Sequence, residues 1–485
     1  MNDEILAKYE MTIGIECHVQ LATATKLFSP ADNDARDKEP NSVVHPIDFG
    51  LPGMLPILNR KAVDLAIRAG KALNAEIAHV SRFDRKHYFY PDLPKGYQTT
   101  QMYQPIILAG YVEAPLEDGS LVTVRIHHAH MEEDAGKLTH FGDHSLVDLN
   151  RAGTPLIEIV SEPDIHSAAA AKAYATELYR LMTYAGVTHG DLYHGNMRFD
   201  VNISVALKGA TELGKRAEVK NLNSFRSVER AAEYEFRRQI ELIEKGERVV
   251  QETRGWDDAK QRTSSQRSKE DAQDYRYMPD ADIPPIVLTA DEIASIQAEV
   301  ATLPSEYRLK WAGLALDKSV VNSLLAKRQY AELITNIQDT AGDNAAKRVA
   351  HWFASALSSS SDDSESNVGI VLTDSAIEDL TALALMTEAN EISSTAAKEI
   401  FNDLVSGASN PRAIAESKNL LQVSDEGAVA AVVDEVLADP ASARAIEDIR
   451  AGNDKAIGYL VGQIMKKSAG KANPALAQKL IKERI

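Results

Sequence analysis

The pattern of the sequence changes at Pro284 and Pro285, and this change constrains the fold more than any other feature. Before these prolines, frequent glycines and aromatic residues with alternating apolar positions predict a strand-rich region with interspersed helices. After them, Ala, Leu, Glu and Lys recur at helical spacing, as in residues 345–357 and 394–404. Because two successive prolines end regular hydrogen bonding, we expect a domain boundary close to residue 288.

The helical half carries two further interruptions. A run rich in Ser and Asp, residues 358–366, predicts a surface loop. A stretch rich in Gly, Ser and Asn at 406–411 predicts the start of a last module. A chain of 485 residues exceeds the size at which one core stops growing. We therefore expect three domains, at residues 1–288, 289–406 and 407–485.

Charge is spread unevenly along the chain. The formal net charge of -18 argues against nucleic-acid binding by itself, since phosphate contacts come from Lys and Arg. From residue 455 onward, however, Glu483 is the single acid. The basic residues there are Lys455, Lys466, Lys467, Lys471, Lys479, Lys482 and Arg484. A basic module on an acidic body is typical of a protein that contacts nucleic acid at chosen places. A helix pair with a solvated basic face is the alternative.

Composition also limits compartment and cofactor. Cys17 is the one cysteine, so the chain can form neither an internal disulfide nor a thiolate zinc cage of its own. The sequence contains no uninterrupted apolar stretch of about 18 residues, the length that a membrane span needs. Its beginning lacks the basic start and apolar centre of a secretory signal. We expect a cytoplasmic protein without a membrane span.

Several extended segments predict strands whose two faces differ. In residues 13–21, apolar side chains alternate with Glu16, His18 and Gln20, so these three polar side chains share one face. Residues 198–205 repeat the pattern, with charged and polar side chains opposite the apolar ones. The first segment therefore places a carboxylate and an imidazole side by side.

Acidic residues stand in three further extended segments. Glu158 is enclosed by apolar neighbours, and because an unpaired buried carboxylate costs several kcal/mol, a cation should meet it. Glu132 and Glu133 end an alternating segment, and Glu218 lies in another short strand. If these strands are neighbours about 4.8 Å apart, their acids converge on one face of a sheet.

Clustered carboxylates with a histidine are typical of a hard-cation site, and oxygen-bound Mg²⁺ commonly accompanies a nucleotide phosphate. The alternative is a structural salt-bridge network with Arg198, Arg216 and Lys220. Residues 209–216 lack the final Ser or Thr of a P-loop and predict a hairpin turn. Phosphates would then be neutralised by metal ions and by nearby cations. Those cations are Arg85, Lys86, Lys137 and Arg151.

A set of motifs in fixed order resembles a known family. The motifs are IGIECHVQL, LPGMLPILN, FDRKHYFYPDLPKGYQ, HMEEDAGK, VDLNRAGTPLIEIVSEPD, AEVKNLNSF, QETRGWD and DYRYMPDADIPP. Together they resemble the cradle domain of the B subunits of tRNA-dependent amidotransferases. The closing GYLVGQIMKKSAGKANP resembles the tail domain of that family, so the resemblance covers essentially the whole chain.

This resemblance implies an α+β fold: a glutamine-synthetase-like catalytic cradle, then an all-α helical domain and a small helical tail that contacts tRNA. It implies an ATP-dependent carbon–nitrogen ligase with glutamine as amido donor and with Mg²⁺ as the metal. The substrates would be Glu-tRNA(Gln), Asp-tRNA(Asn) or both. An amidase, the A subunit, would supply ammonia, and a small C subunit would complete the complex, with neither DNA nor membrane as a partner.

The resemblance also assigns roles to residues. The metal residues would be Glu16, His18, Glu132, Glu133, Glu158 and Glu218. The catalytic residues would be Glu16, Glu133, Glu158 and Lys86, the last near the channel through which ammonia arrives. Contacts to ATP or the aminoacyl group would come from Lys137, Asn150, Arg151, Asn221, Asn223, Ser224 and Arg276. Contacts to tRNA in the tail would come from Lys455, Lys466, Lys467 and Lys471.

Three questions stay open in the sequence. Tyr88, Phe89 and Tyr90 fit core packing or stacking on a terminal adenosine. Some relatives carry Cys-x-x-Cys before the LPG motif where this chain has residues 45–48, His-Pro-Ile-Asp, so a structural zinc is not expected. A free-standing carboxylate–amine ligase and a non-catalytic tRNA scaffold remain rival functions. The basic tail argues against the first rival, and the strand-face acids argue against the second.

Overall fold

The structure, a computed structural model, describes residues 2–268, 274–359, 372–373, 375–422, 426–451, 453–468 and 471–485. It has a mixed α+β architecture with one large sheet and many helices, which confirms the predicted fold class at that level. The chain forms two compact units, Met1–Glu306 and Tyr307–Ile485.

The strands lie in the first unit. They are β1 (Tyr9–Gln20), β2 (Val80–Ser81), β3 (Asp84–His87), β4 (Tyr97–Thr100), β5 (Gly110–Pro115), β6 (Leu121–Glu133), β7 (Lys137–His140), β8 (Ser145–Asp148), β9 (Pro155–Ser161), β10 (Met197–Leu207), β11 (Ala217–Leu222), β12 (Glu252–Asp257), β13 (Arg262–Ser268), β14 (Met278–Pro279) and β15 (Ile286–Val287). Within the described residues, the main sheet has the order β13-β12-β11-β10-β1-β9-β6-β5. Its neighbours are antiparallel except β11 and β12, which are parallel. Smaller sheets pair β14-β3-β4, β15-β2 and β7-β8.

Helices occur in both units. They are α1 (Asp3–Leu6), α2 (Arg60–Ala72), α3 (Ala168–Tyr184), α4 (Phe225–Glu244), α5 (Ala290–Ala298), α6 (Pro304–Lys310), α7 (Lys318–Leu324), α8 (Arg328–Ala341), α9 (Asp343–Ser359), α10 (Ala376–Glu388), α11 (Ser394–Val405), α12 (Pro411–Ser417), α13 (Glu426–Leu437), α14 (Ala443–Arg450), α15 (Ile457–Lys467) and α16 (Pro474–Arg484). Short 3-10 helices occupy Trp311–Leu314, Pro440–Ser442 and Asp454–Ala456. The helices predicted at 345–357 and 394–404 are α9 and α11.

One face of the main sheet packs into the core. Along β1 the buried and half-buried positions alternate strictly, as its sequence predicts. The buried side chains Ile13, Ile15 and Val19 join a cluster that includes residues of α2, α3 and α4. The other face of β1 is thereby left for Glu16 and His18.

Local signals set the ends of the two long helices beside this sheet. Helix α3 begins after Ser167, whose side chain accepts a hydrogen bond from the Ala170 N–H. Helix α4 begins after Ser224 and ends before Gly246, whose φ of 74° suits a residue without a Cβ. Residues 208–216 connect the antiparallel strands β10 and β11, so the predicted hairpin turn is confirmed.

The first unit extends beyond the predicted boundary at 288. Helix α5 packs against α2, and the half-buried Ile293 and Ile296 lie against the core of that unit. Apolar contact therefore keeps the segment after Pro285 with the sheet. In the second unit, α13, α15 and α16 share a hydrophobic cluster that includes Val433 and Leu460. The division of this unit near residue 406 stays a prediction.

Most of the predicted Ser/Asp-rich loop, from residue 360 onward, lies outside the described residues. Within the described residues, every helix is too short or too polar to cross a lipid bilayer.

Candidate metal centre and active site

The register of the central strands places charged side chains in a row across the free face of the sheet. Glu16 on β1 pairs with Asp200 on β10, and His18 pairs with Glu158 on β9. Glu158 pairs in turn with His130 on β6. Because directly paired residues of antiparallel strands point to the same side, these five side chains share one face.

A change of register on β6 brings its polar residues to this face. The pairing of β6 with β9 shifts between Ile126 and His128. Before the shift, Val124 and Ile126 are buried in the core, whereas after it the core positions are Ala129 and Met131. An extra residue in a strand reverses which positions face the core. His130 and Glu132 therefore lie on the free face. Ile126 stands an even number of residues before them in the same strand, but its side chain lies in the core.

The acids and histidines form two groups of potential metal ligands. In the described part of the chain, one ligand atom from each member of a group lies within 4.8 Å of the others. The first cluster is His18, Glu132 and Glu158, and the second cluster is Glu16, Asp200 and Glu218. Carboxylate oxygens are the ligands that Mg²⁺ prefers, with further positions left for water or phosphate. The donor set therefore fits a hard divalent cation in each cluster.

Two histidines hold the carboxylates of the first cluster. His18 Nε2 lies 3.5 Å from Glu132 Oε1 and 3.7 Å from Glu158 Oε2. His130 Nε2 lies 3.3 Å from Glu158 Oε2 and 3.8 Å from Glu132 Oε2. Burial disfavours a charged His130, but both carboxylates outweigh it and raise its pKa to about 10. Burial alone would raise the pKa of Glu158, but the contact with His130 outweighs burial and lowers this pKa.

The second cluster is held by neutral donors and by a lysine. The Asn202 amide donates to Glu16 Oε1 at 3.0 Å, and the Thr253 hydroxyl donates to Glu218 Oε2 at 2.9 Å. Lys220 Nζ lies 3.2 Å from an oxygen of Asp200. Burial and the neighbouring negative charges raise the pKa of Glu16. Three carboxylates in close proximity repel one another when ionised, and the ammonium of Lys220 offsets part of this repulsion.

Sequence reasoning did not assign His130 or Asp200 to this site, and it named Lys220 only as part of the alternative salt-bridge network, which its pairs with Asp200 and Glu218 fit. Asp200 lies on the predicted polar face of its strand, but the sequence does not assign it to the metal site. His130 and Lys220 each stand two positions from a predicted ligand on the same strand. The signal that could have found all three is therefore the same alternation.

Glu133, predicted as a metal and catalytic residue, belongs to neither cluster. It follows Glu132 directly and so projects from the other side of β6. Its carboxylate forms an ion pair with Lys95 and accepts a hydrogen bond from the Thr99 N–H at 3.0 Å. These contacts tie Glu133 to the β3–β4 region, and the structure gives its metal role no support.

Lys86 lies beside the first cluster and against an aromatic group. Its ammonium is 4.9 Å from the centroid of the Tyr275 ring. Burial alone would lower the pKa of Lys86, but the charges of Glu132 and Glu158 contribute to raising it. Lys86 therefore remains a cation next to the predicted metal ligands.

Three predicted nucleotide or aminoacyl contacts line one polar cavity of about 360 Å³. Lys137, Asn150 and Arg151 contribute to its wall, together with Gln20 from the free face of β1. Arg151 is paired with Asp134 at 2.5 Å. The amide of Asn150 is engaged locally, because it donates to the Glu39 carbonyl and accepts from the Val43 N–H.

Among the remaining predicted residues, Ser224 and Arg85 have local partners in the structure. Ser224 caps α4, with its hydroxyl accepting from the Ser227 N–H at 3.0 Å. Asn223 and Arg276 are exposed, and the side chain of Asn221 lies outside the described residues. Their part in binding stays a prediction. Arg85, one of the predicted phosphate-neutralising cations, is paired with the acids Asp280 and Asp282.

The aromatic residues Tyr88, Phe89 and Tyr90 lie in two different environments. Phe89 is 78% exposed and Tyr90 is 54% exposed, so core packing is wrong for both. Tyr88 is half-buried, with its ring centroid 6.2 Å from that of Tyr275. Stacking of Phe89 or Tyr90 on a nucleotide base stays a prediction.

A buried ion pair lies at the position where some relatives carry two cysteines. Lys26 Nζ is 3.1 Å from Asp48 Oδ2, and that oxygen also accepts from the His45 N–H at 2.8 Å. The ring of His45 accepts from the Ile47 N–H. Both polar side chains of the segment are thus engaged within the protein.

The predicted tRNA contacts of the tail are on its surface. Lys455, Lys466 and Lys471 are exposed. Lys467 is also exposed and forms an ion pair of 2.6 Å with Glu435 on α13. Their exposure is compatible with either a nucleic-acid contact or a solvated basic face.

A sheet face with two adjacent three-ligand clusters is typical of the class of metal-dependent enzymes. Comparison with known proteins gives the family. The GatB/GatE catalytic domain matches residues 11–294, and the GatB domain matches residues 319–485. The chain belongs to the family of aspartyl/glutamyl-tRNA(Asn/Gln) amidotransferase B subunits, which confirms the resemblance of its motifs.

Individual relatives match over nearly their whole length. The B subunit of the aspartyl/glutamyl-tRNA(Asn/Gln) amidotransferase from Alkalilimnicola ehrlichii is 45% identical over 487 residues, covering 99% of each chain. The protein of the same name from Janthinobacterium is 45% identical over 488 residues, again with 99% of each chain covered. That from Persephonella marina is 42% identical over 480 residues, covering 98% of this chain and 99% of its own.

Proposed function

We propose that this chain is the subunit of a tRNA-dependent amidotransferase that activates the side-chain carboxylate of Glu-tRNA(Gln), Asp-tRNA(Asn) or both. ATP phosphorylates that carboxylate, and ammonia then displaces the phosphate to give Gln-tRNA(Gln) or Asn-tRNA(Asn). The observation that carries the proposal is the pair of acidic clusters on one sheet face. The names of the relatives support the same substrates.

The chemistry explains why such a face is needed. A carboxylate resists nucleophiles, because its leaving group would be an oxide. Transfer of a phosphoryl group to one carboxylate oxygen creates an acyl phosphate, and ammonia attacks its carbonyl carbon, forming the C–N bond as the C–O bond to phosphate breaks. The nitrogen loses one proton in the process. Each step brings several negative charges together, so the protein must supply compensating cations.

We assign Mg²⁺ to the two clusters. His18, Glu132 and Glu158 would hold one ion, and Glu16 with Asp200 and Glu218 would hold another. When bound, the ions would neutralise phosphate oxygens and polarise the transferring group. The contribution of the protein is to fix these ligands on adjacent strands, where backbone pairing sets their spacing.

Side chains around the first cluster would prepare the acceptor. His130 keeps Glu158 ionised and oriented through its contact of 3.3 Å. Lys86, a cation against the Tyr275 ring, would orient the substrate carboxylate or receive arriving ammonia. The polar cavity that Lys137 and Arg151 help to line offers positive groups for a nucleotide or for the end of the tRNA.

We further propose a glutamine-synthetase-like cradle for the first unit, and a complex in which the A subunit is an amidase and a small C subunit is the third member. The sequence carries no recognisable nucleophile system for releasing ammonia from glutamine. A separate amidase would supply that step. The exposed tail lysines would contact the tRNA.

The test combines the purified chain with its amidase partner, Glu-tRNA(Gln), glutamine and Mg-ATP, and measures Gln-tRNA and ADP. Glu158→Gln should abolish both products, because it removes a charged ligand while keeping the side-chain shape. The matched control is Glu113→Gln, an exposed glutamate on β5 of the same sheet. Amidation that persists in Glu158→Gln would remove the metal-site assignment. Turnover of ATP with free glutamate alone would favour a small-molecule ligase.

A further inference from the structure

An amide oxygen without a hydrogen-bond partner lies beside the second cluster. Asn202 on β10 is only 9% exposed, and its Nδ2 donates to Glu16 Oε1 at 3.0 Å. Its other polar atom, Oδ1, is buried and accepts no hydrogen bond from any residue that the structure describes. The contact with the carboxylate fixes the orientation of the amide, because the flipped amide would bring two oxygens together. Oδ1 is therefore the atom that is left without a partner.

Strand register places Asn202 among the ligands of the second cluster. Glu218 on β11 pairs directly with Asn202, so the two side chains point to the same side of the sheet. Asp200 stands two positions before Asn202 on β10 and therefore shares this face. Together with the hydrogen bond to Glu16, these relations mean that Asn202 flanks all three carboxylates of the cluster.

A buried acceptor without a partner is costly for the fold. Leaving such an oxygen unsatisfied costs about 1–3 kcal/mol. The ammonium of Lys220 lies 3.2 Å from Asp200 Oδ2 and 3.1 Å from Glu218 Oε1, but it makes no hydrogen bond to Asn202 Oδ1. The cation that the cluster already contains thus does not satisfy this oxygen.

A divalent ion fits such an oxygen better than a water molecule does. Oδ1 is buried from solvent. Mg²⁺ lies about 2.0–2.1 Å from its oxygen ligands, whereas the oxygen of a hydrogen-bonded water lies about 2.7–2.8 Å from its acceptor. The ion therefore needs less room beside Oδ1. Amide carbonyl oxygens also belong, with carboxylates, to the ligands that hard cations prefer.

We propose that Oδ1 of Asn202 is a further oxygen ligand of the ion at the second cluster, beside Glu16, Asp200 and Glu218. This inference deepens the proposed function and rests on it for the presence of the ion. Asn202 supplies an oxygen without adding another negative charge to three carboxylates that already repel one another. Its Nδ2 holds Glu16 at the same time, so one side chain both orients a ligand and provides one.

The experiment measures Mn²⁺ binding to the purified complex without nucleotide, by equilibrium dialysis with electron paramagnetic resonance. All proteins carry Glu158→Gln, which disables the first cluster so that the isotherm reports the second. Asn202→Val, which removes the oxygen, should weaken binding by about 10–100-fold. The matched control is Ser204→Ala, two positions further along the same face of β10, and it should leave the affinity unchanged.

Asn202→Asp separates a ligand from a residue that only positions Glu16. Aspartate keeps an oxygen at this place and adds a negative charge, so it should bind Mn²⁺ at least as tightly as asparagine does. If Asn202 only held Glu16, the aspartate would repel that carboxylate and bind Mn²⁺ more weakly than valine does. Weaker binding in Asn202→Asp than in Asn202→Val would therefore overturn the proposal. If Asn202→Val does not fold, Asn202→Ala removes the same oxygen with a smaller side chain.

A spectroscopic measurement detects the bond itself. In a complex grown with ¹³C-asparagine, electron–nuclear double resonance should show a carbon coupled to the bound Mn²⁺, and Asn202→Asp should abolish this coupling. Its absence in the unmodified residue would overturn the proposal, whatever the affinities are. Affinity that Asn202→Val leaves unchanged would overturn this inference alone. Failure of any Mn²⁺ to bind in the Glu158→Gln protein would instead remove the metal from the second cluster, and this inference with it.

Discussion

The buried pair of Lys26 and Asp48 provides a quantitative test of how the loop before the LPG motif is held. The side chain of Lys26 is 0% exposed and that of Asp48 is 4% exposed, with 3.1 Å between ammonium and carboxylate. Lys26→Met keeps most of the chain length but removes the charge. Asp48 would then remain a buried carboxylate with the His45 N–H as its hydrogen-bond donor.

The magnitude follows from that burial. Removing one partner of a buried ion pair destabilises a protein by about 3–5 kcal/mol, because the remaining charge is uncompensated. In a large domain each kcal/mol lowers the thermal midpoint by about 2–4 °C, so the first unit should unfold on the order of 10 °C lower. Burial itself lowers the pKa of Lys26, and Asp48 only partly offsets this effect. The pair therefore offsets only part of the cost of burying both charges, and removing one partner leaves the other charge uncompensated.

Differential scanning calorimetry measures the midpoint, and three variants separate the causes. Lys61→Met, an exposed lysine on α2, is the control for a lost surface charge. Lys26→Met combined with Asp48→Asn removes both charges yet leaves an acceptor for the His45 N–H, so it should recover much of the lost stability. A shift of less than about 2 °C in Lys26→Met, under a single kcal/mol on this scale, would refute the reasoning. A double variant no more stable than the single one would do so as well.

Three further predictions concern a helix cap, a half-buried histidine and the tail. Ser224→Ala should lower the free energy of unfolding by about 0.5–2 kcal/mol through loss of the α4 cap, measured by urea denaturation; no change would contradict the capping role. Burial and the neighbouring histidines lower the pKa of His128 to about 4, below its usual 6.5. Between pH 6.5 and 4, His128 is neutral in the folded protein but takes up a proton on unfolding, so the free energy of unfolding should fall as pH drops through this range. His128→Gln should therefore flatten the curve of thermal midpoint against pH. The control variant His144→Gln should leave this curve unchanged. The last prediction replaces exposed tail lysines with glutamate: Lys455, Lys466 and Lys471. Their loss should weaken tRNA binding in a filter assay while leaving ATP binding unchanged, whereas Lys398→Glu on α11 should have no effect on either.

Alternation within single strands was predictable from the sequence, and relations between strands were not. The polar face of β1, which carries Glu16 and His18, follows from the alternation of side chains along a strand alone. The pairing of Glu16 with Asp200 depends on which strand lies beside β1, and nothing local in either segment encodes that choice. Asp200 and Lys220 are therefore recognisable as polar residues of their strands, but the sequence alone does not assign them to a metal site.

The register shift in β6 explains a second difference between the predicted site and the observed one. Simple counting along this strand groups Glu132 with Ile126, although they point to opposite sides. Glu133 entered the predicted ligand set through the family resemblance, whereas alternation along β6 turns its side chain away from that of Glu132. Phe89 and Tyr90 illustrate a third limit, since aromatic residues serve equally well in a core and on a binding surface.

The two clusters share β1, and this fixes their separation. Glu16 belongs to one cluster and His18 to the other, and two residues of an extended strand advance the backbone by about 6.8 Å. A strand hydrogen-bonded on both sides cannot stretch or bend at this point without breaking its ladder. Any ions held there must therefore keep a constant spacing throughout a catalytic cycle, and rearrangement falls to the substrates and the surrounding loops.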